Sequence, residues 1–238
     1  MRRVLELGSY VLPAYAGMVL AEQGCRVTKW VHPEGRPDPV QSLKRGDELW
    51  TWINEGKTLV PRHAREITAL PPGETDVVID NFRAEAWHRW GVFPQEQADR
   101  LGVPWVSMRD EFDGRSFDAV AQARALMEHG PYLPIYLGDT AGGLWLAFKA
   151  LALLSSRSRS GGHHVLRQSS CLAKLVEGEL RVPAARGAAP PWDPPGTYGA
   201  TEEGALVVYR GEPVREPVRD HAWKWANLRH DGTGRITI

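Results

Sequence analysis

Chemistry is most readily placed in the stretch Leu137-Gly138-Asp139-Thr140-Ala141-Gly142-Gly143, where an isolated carboxylate meets small residues and then the apolar segment 144–154. An Asp at the start of a helix accepts hydrogen bonds from free N–H groups of the first turn and lies at the positive end of the helix dipole. That predicts a depressed pKa and a carboxylate ionised at neutral pH. Read alone, such a residue is a helix cap. The small residues after it also let a bulky ligand approach backbone N–H groups, which makes the same position a candidate site.

Other chemistries are set aside by spacing. Glu55-Gly56-Lys57-Thr58 looks like the end of a phosphate-binding loop, but that pattern needs a Gly where Thr51 stands. The sequence has no C-x-x-C, no G-x-S-x-G elbow and no G-x-G-x-x-G after its first strand. His163 and His164 fall in a strand, so they point to opposite faces and cannot share a metal; no metal site is expected. The two cysteines, Cys25 and Cys171, are too few for a disulfide framework and fit a reducing, cytoplasmic setting. The ten tryptophans read as core and interface residues.

The elements that must position Asp139 follow from periodicity. Strands are expected at 4–7, 26–31, 58–60, 75–80, 105–108 and 163–167. Helices are expected at 13–23, 62–70, 84–90, 94–101, 117–129 and 170–180, with a helical turn at 48–54 and the long apolar helix that Asp139 opens. The first strand, helix and second strand make a β-α-β unit of the length a parallel crossover needs. Alternation of this kind predicts an α/β fold, a doubly wound and mostly parallel sheet, over residues 1–182. A Pro-rich linker at 183–196 then leads to a small appendage at 197–238, in which 197–200 and 205–209 form a hairpin and 232–238 add a strand.

Lys plus Arg equals Asp plus Glu at 29 each in 238 residues, so no bulk attraction to nucleic acid or an anionic membrane is expected. The best candidate for a membrane span is interrupted by Lys149, and a signal peptide is not expected at the N-terminus.

Several segments, taken in order, resemble one family. Val4-Leu5-Glu6-Leu7, then 14–24 and 27–33, then Asn54-Glu55-Gly56-Lys57, then Asp76-Val77-Val78-Ile79-Asp80-Asn81-Phe82-Arg83 look like the opening of the class III CoA-transferases, the CaiB/BaiF family. Phe117-Asp118-Ala119-Val120-Ala121-Gln122-Ala123 resembles the family's Tyr-Asp helix, and Gly138-Asp139 its catalytic aspartate segment. Ser158-Arg159-Ser160-Gly161-Gly162-His163-His164-Val165 resembles its glycine turn and strand.

The resemblance implies a short, divergent family member that moves CoA between carboxylic acids, with Asp139 as nucleophile on an acyl-CoA and N–H groups near Gly142 and Gly143 stabilising the oxyanion. By motif position it also implies CoA contacts at Val11, Pro13, His32, Asn81, Phe82, Arg89 and Arg109. For Arg89 and Arg109 the alternative is a surface ion pair, and for Asn81 a turn bond. The expected partners are an acyl-CoA, a small carboxylic acid and a second copy of the chain in a homodimer, with a further protein subunit as an extension. Phe117 stands where family racemases carry His, which disfavours racemisation, and Asp110 and Glu111 replace a Gly-rich turn. Two rival functions stay open: a catalytically reduced CoA- or thioester-binding protein or subunit, and a thioester-dependent acyltransferase or isomerase of altered chemistry.

Overall fold

A computed structural model describes residues 1–43, 45–109, 117–126, 136–156, 161–180, 196–201, 204–209, 212–214, 229–230 and 236–237. Asp110, Glu111 and residues 183–195 of the expected linker lie outside them. In chain order the first elements are β1 (Arg3–Leu7), α1 (Val11–Glu22), β2 (Arg26–Val31), a 3₁₀ turn (Pro39–Ser42), α2 (Gly46–Ile53) and β3 (Thr58–Pro61). A second 3₁₀ turn (Ala64–Ala69), β4 (Val77–Asp80), α3 (Ala84–Arg89), α4 (Pro94–Leu101) and β5 (Pro104–Arg109) follow. Then come α5 (Asp118–Leu126), α6 (Leu137–Ser155), β6 (Gly162–Arg167) and α7 (Gln168–Leu180).

The residues divide into two compact units, Met1–Arg115 with Gly142–Arg167, and Ser116–Ala141 with Gln168–Ile238. The segment bearing Asp118 and Asp139 groups with the C-terminal part of the chain, whereas the sequence reading takes 1–182 together.

The first unit is built on a six-stranded sheet in the order β3-β2-β1-β4-β5-β6, parallel throughout. The strand order reverses between β1 and β4, where doubly wound sheets open a crevice at their carboxyl ends. One face carries Leu5, Leu7, Val78 and Trp105, covered by Ile67, Trp87 and Leu101 from the helical segments. Burial of each such side chain contributes roughly 2–3 kcal/mol. Trp87 and Trp105 are fully buried, and their indole N–H groups donate to Asp80 at 3.0 and 2.6 Å, so neither large ring buries an unsatisfied donor.

The other face of β1 carries a charge. Glu6 is fully buried, accepting from Lys29 Nζ at 2.6 Å and Lys57 Nζ at 2.8 Å, and Lys57 also donates to the Ala14 carbonyl at 2.6 Å and Asn54 Oδ1 at 3.2 Å. Burial opposes ionisation of Glu6, but the two ammonium groups outweigh it and hold the carboxyl below its ordinary value. Burial draws Lys57 down to about 8, against the pull of Glu6. The triad ties β1, β2 and the start of β3 to α1, and Gly17 of α1 leaves room for it: a Cβ there would strike Glu6 Oε2 and come within 2.9 Å of Lys57 Nζ.

α6 begins two residues before Asp139, earlier than its sequence suggests. Despite Lys149 it has a mean hydropathy of 1.3 over a span long enough to cross a membrane by length and composition. Leu146, Ala147, Ala150 and Leu154 of this helix are buried in the protein. A Cβ at Gly143 would lie 2.9 Å from the Leu12 carbonyl and 3.0 Å from the Tyr15 ring, so a side chain is excluded where α6 meets α1.

In the second unit α5 packs against α7. Beyond them β7 (Gly196–Thr201), β8 (Gly204–Tyr209) and β9 (Glu212–Val214) form an antiparallel sheet, with β7 and β8 as the expected hairpin. β10 (Arg229–His230) pairs with β11 (Ile236–Thr237).

Candidate active site

Two features invite chemistry, one in each unit. In the second unit, Asp139 sits at the third position of α6, within its first turn. The cap is supplied by another helix: Asp118, at the start of α5, accepts the Asp139 N–H through Oδ1 at 2.9 Å and also accepts the Gly138 N–H. Asp118 Oδ2 accepts from Gln122 Nε2 at 2.7 Å. Gly138 permits the approach, since a Cβ there would lie 2.9 Å from both the Ala121 Cβ and the Asp118 carbonyl. Asp139 Oδ1 accepts from Gln168 Nε2, on the first turn of α7, at 2.9 Å.

The electrostatics reverse the sequence expectation. Burial and then the Asp118 charge push the Asp139 carboxyl up to about 7, against the stabilising Gln168 bond. Asp118 is itself pushed up to about 6 by burial, against its bonds from Asp139, Gln122 and Gly138. Asp139 is therefore poised between protonation states near neutrality, because the cap and its dipole benefit fall to Asp118. The pair also raises the Tyr136 hydroxyl, which burial already pushes up.

Gly142 and Gly143 lie beyond the first turn of α6, where N–H groups are committed to the helix ladder. They are not the free oxyanion donors placed there from sequence. The small side at Gly143 serves helix packing instead.

In the first unit a crevice of about 530 Å³ opens beyond the carboxyl ends of β1, β2 and β4. His32, Phe82, Trp90 and His63 give it aromatic walls, and Arg36 and Arg62 give it cations. His63 and Phe82 each meet Trp90 edge to face, at 5.0 and 5.2 Å between ring centroids. The Arg62 guanidinium lies 4.5 Å from the Trp30 ring centroid.

Of the residues expected to touch CoA, His32 and Phe82 line this crevice. Asn81 holds its rim, accepting the Ser9 N–H at 3.2 Å and donating to the Ser9 carbonyl at 2.9 Å, which is the turn bond weighed from sequence. Gly8, at φ 134°, passes against that amide. Val11 and Pro13 are buried in the first turn of α1, where Pro needs no N–H partner. Arg89 is exposed in the last turn of α3 and lines no part of the crevice. Arg109 is not a surface group: it is buried, donating to Ser107 Oγ at 3.2 Å and lying 3.8 Å from Asp80.

Sequence reasoning missed the cations that do face the crevice, Arg36 and Arg62, and the two residues that hold Asp139. Asp118 lay within a recognised motif, but its bond to a residue 21 positions away had no local signature. Among the described residues no group of His, Cys, Asp and Glu is arranged to hold a metal.

Comparison with known proteins bears on the first unit most directly. The family model for CoA-transferase family III matches residues 2–100. That segment is similar to CoA-transferase family III. The succinyl-CoA–D-citramalate CoA-transferase of Chloroflexus aurantiacus is 28% identical, the match covering 69% of this chain and 47% of that protein. The succinyl-CoA–L-malate CoA-transferase alpha subunit of Chloroflexus aurantiacus is 29% identical over 42% of this chain and 26% of its own length. The chain thus spans about half, or less, of these curated relatives.

Among solved structures, a CaiB/BaiF family protein from Brucella suis superposes with a TM-score of 0.64 at 18% identity, covering 87% of this chain and 65% of that one. A hypothetical protein from Mycobacterium tuberculosis gives a TM-score of 0.61 at 22% identity, covering 87% of this chain and 64% of that one. At such identities the likeness is one of fold. It agrees with the parallel α/β sheet described above.

Proposed function

We propose that this protein is a CoA-transferase-like enzyme that moves CoA between carboxylic acids through Asp139. The observation that carries the reading is the state of Asp139: its amide is capped by Asp118 and its carboxylate is held by one Gln168 bond, so a carboxylate oxygen is left for chemistry. The family match and the names of the curated relatives support the reaction class.

The ionised carboxylate attacks the thioester carbonyl, forming a mixed anhydride as the C–S bond breaks and CoA leaves as thiolate. The thiolate attacks the aspartyl carbonyl, giving an aspartyl thioester and releasing the donor acid. The acceptor carboxylate then attacks that thioester, expelling CoA thiolate as the C–S bond breaks and forming a second mixed anhydride; the thiolate attacks its acceptor acyl carbonyl, giving the new CoA thioester and releasing the Asp139 carboxylate. The stacking faces and cations of the first unit's crevice suit the adenosine and phosphate groups of CoA as substrate. We place this chemistry in the cytoplasm, in keeping with two free cysteines.

Intact-protein mass spectrometry after incubation with a panel of CoA thioesters tests the proposal. A covalent CoA or acyl adduct is expected on the wild type and not on D139N. No adduct with any thioester, on folded protein, overturns it. A second reading is favoured by one comparison, the naming of a relative as an alpha subunit: the chain then binds CoA or a thioester as part of a larger assembly. Tight CoA binding without turnover supports that reading.

A further inference from the structure

The second unit holds two carboxylates on adjoining helices, each fixed by a glutamine amide and joined through one backbone group. Asp118 accepts the N–H of Asp139 at 2.9 Å, Gln122 donates to Asp118 at 2.7 Å and Gln168 to Asp139 at 2.9 Å. Asp118 and Gln122 are 7% and 0% exposed, and Gln168 is 2% exposed, so solvent screens the pair poorly. A helix whose first turn contained only Asp139 as an anion would draw that carboxylate back onto its own amides. Here those amides are occupied from α5, and Gln168 holds the Asp139 carboxylate instead.

We propose that Asp118 is a positioning residue for Asp139: by capping α6 it leaves the Asp139 carboxylate to face a ligand, and the two act as one coupled proton-binding pair. The proposal rests on the reading of Asp139 as the reacting carboxylate. The groups facing Asp139 are Asp118 from α5 and Gln168 from α7, with Tyr136 ahead of α6. Of these only Asp118 brings a negative charge at neutral pH, so Asp118 is the group that couples to it. The upward shift of both carboxyls agrees with such a pair.

A residue that merely caps a helix and one that sets its neighbour's charge differ in titration. Carboxyl carbon NMR of the full chain, with D139N and D118N used for assignment, reads both groups without requiring activity. In the wild type each carboxyl signal is expected to show both inflections of a coupled titration. In D118N, whose amide oxygen can still accept the cap bonds, the Asp139 midpoint is expected to fall by about one unit or more. The pH at which adduct formation reaches half its maximum should fall with it.

An unchanged Asp139 midpoint in folded D118N overturns the proposal. So do two independent single-site titrations in the wild type, a result that does not depend on D118N folding. Coupled titration with no adduct sinks the transferase reading and leaves the pair standing; an adduct with uncoupled titration does the reverse.

Discussion

A carboxyl raised to about 7 inside a folded protein has consequences for both reactivity and stability. Only the anion attacks a thioester, so adduct formation at Asp139 is expected to rise between pH 6 and 8 and to level off above, as measured by quenched mass spectrometry. The stability effect has the opposite sign. The folded-state pKa lies above the ordinary 3.8, so the folded state binds more protons between those values. Stability tied to Asp139 is complete at the acid end and is lost as pH rises through about 7. The stability of D139N relative to the wild type should therefore rise from pH 5 to pH 8, by an increment on the order of 1–3 kcal/mol. Equal differences at both pH values would contradict the raised pKa.

The buried triad makes a second test at the same scale. Glu6→Gln leaves Lys29 and Lys57 facing each other without their carboxylate, and unfolding by urea should show a loss of about 3–5 kcal/mol. Neither residue set was readable as a cluster in the sequence. Lys57 lies in a segment that looks like part of a phosphate loop, and of its three acceptors only Asn54 is near in sequence, Glu6 and Ala14 being 51 and 43 positions away. Local patterns report periodicity, whereas a salt bridge between strands depends on which strands become neighbours.

For that reason the elements themselves were far more legible. β2 and α4 carry the boundaries expected of them, because Arg26–Val31 is an uninterrupted β-prone run after Gly24 and Pro94 fixes the start of α4. Residues 62–70 were expected as an α-helix and form a tighter 3₁₀ segment over Ala64–Ala69, capped by the His63 ring. An Asp before an apolar run looks like a cap, which sets the expected start of α6 later than its actual start at Leu137. Its true cap comes from another helix, which no window along the chain contains.

Helix contacts carry their own prediction. Gly17→Ala places a methyl into the Glu6–Lys57 pair, and Gly143→Ala places one against the Leu12 carbonyl. Both should destabilise, by about 1–3 kcal/mol for Gly143→Ala and by more for Gly17→Ala, where charges must move. Gly24→Ala meets no neighbour but has a φ of 80°, so any cost there is backbone strain alone.

At the scale of the whole molecule, the first unit leaves Phe148 63%, Trp52 52% and Leu144 44% exposed. Apolar groups of that size in the open are what a second copy would cover, and we expect a homodimer by light scattering, which Phe148→Glu should weaken without lowering the melting temperature. A monomeric wild type would sink this expectation. The sequence foretold the parallel sheet, since it follows from alternating strands and helices. It did not foretell the grouping of residues 116–141 with the C-terminal part, which depends on α5 meeting α7.

The order of the sheet also bears on how the chain is made. Strands β1 to β5 all lie within residues 3–109, whereas β6, which pairs along β5, begins at residue 162. A ribosome therefore delivers five strands while the sixth is still unsynthesised, and β5, every residue of which is buried in the finished protein, stands as an open edge. For that interval the nascent chain is a template for any other extended segment nearby. Ribosome-bound chains halted between β5 and β6 are expected to hold chaperones that chains extended beyond α7 release.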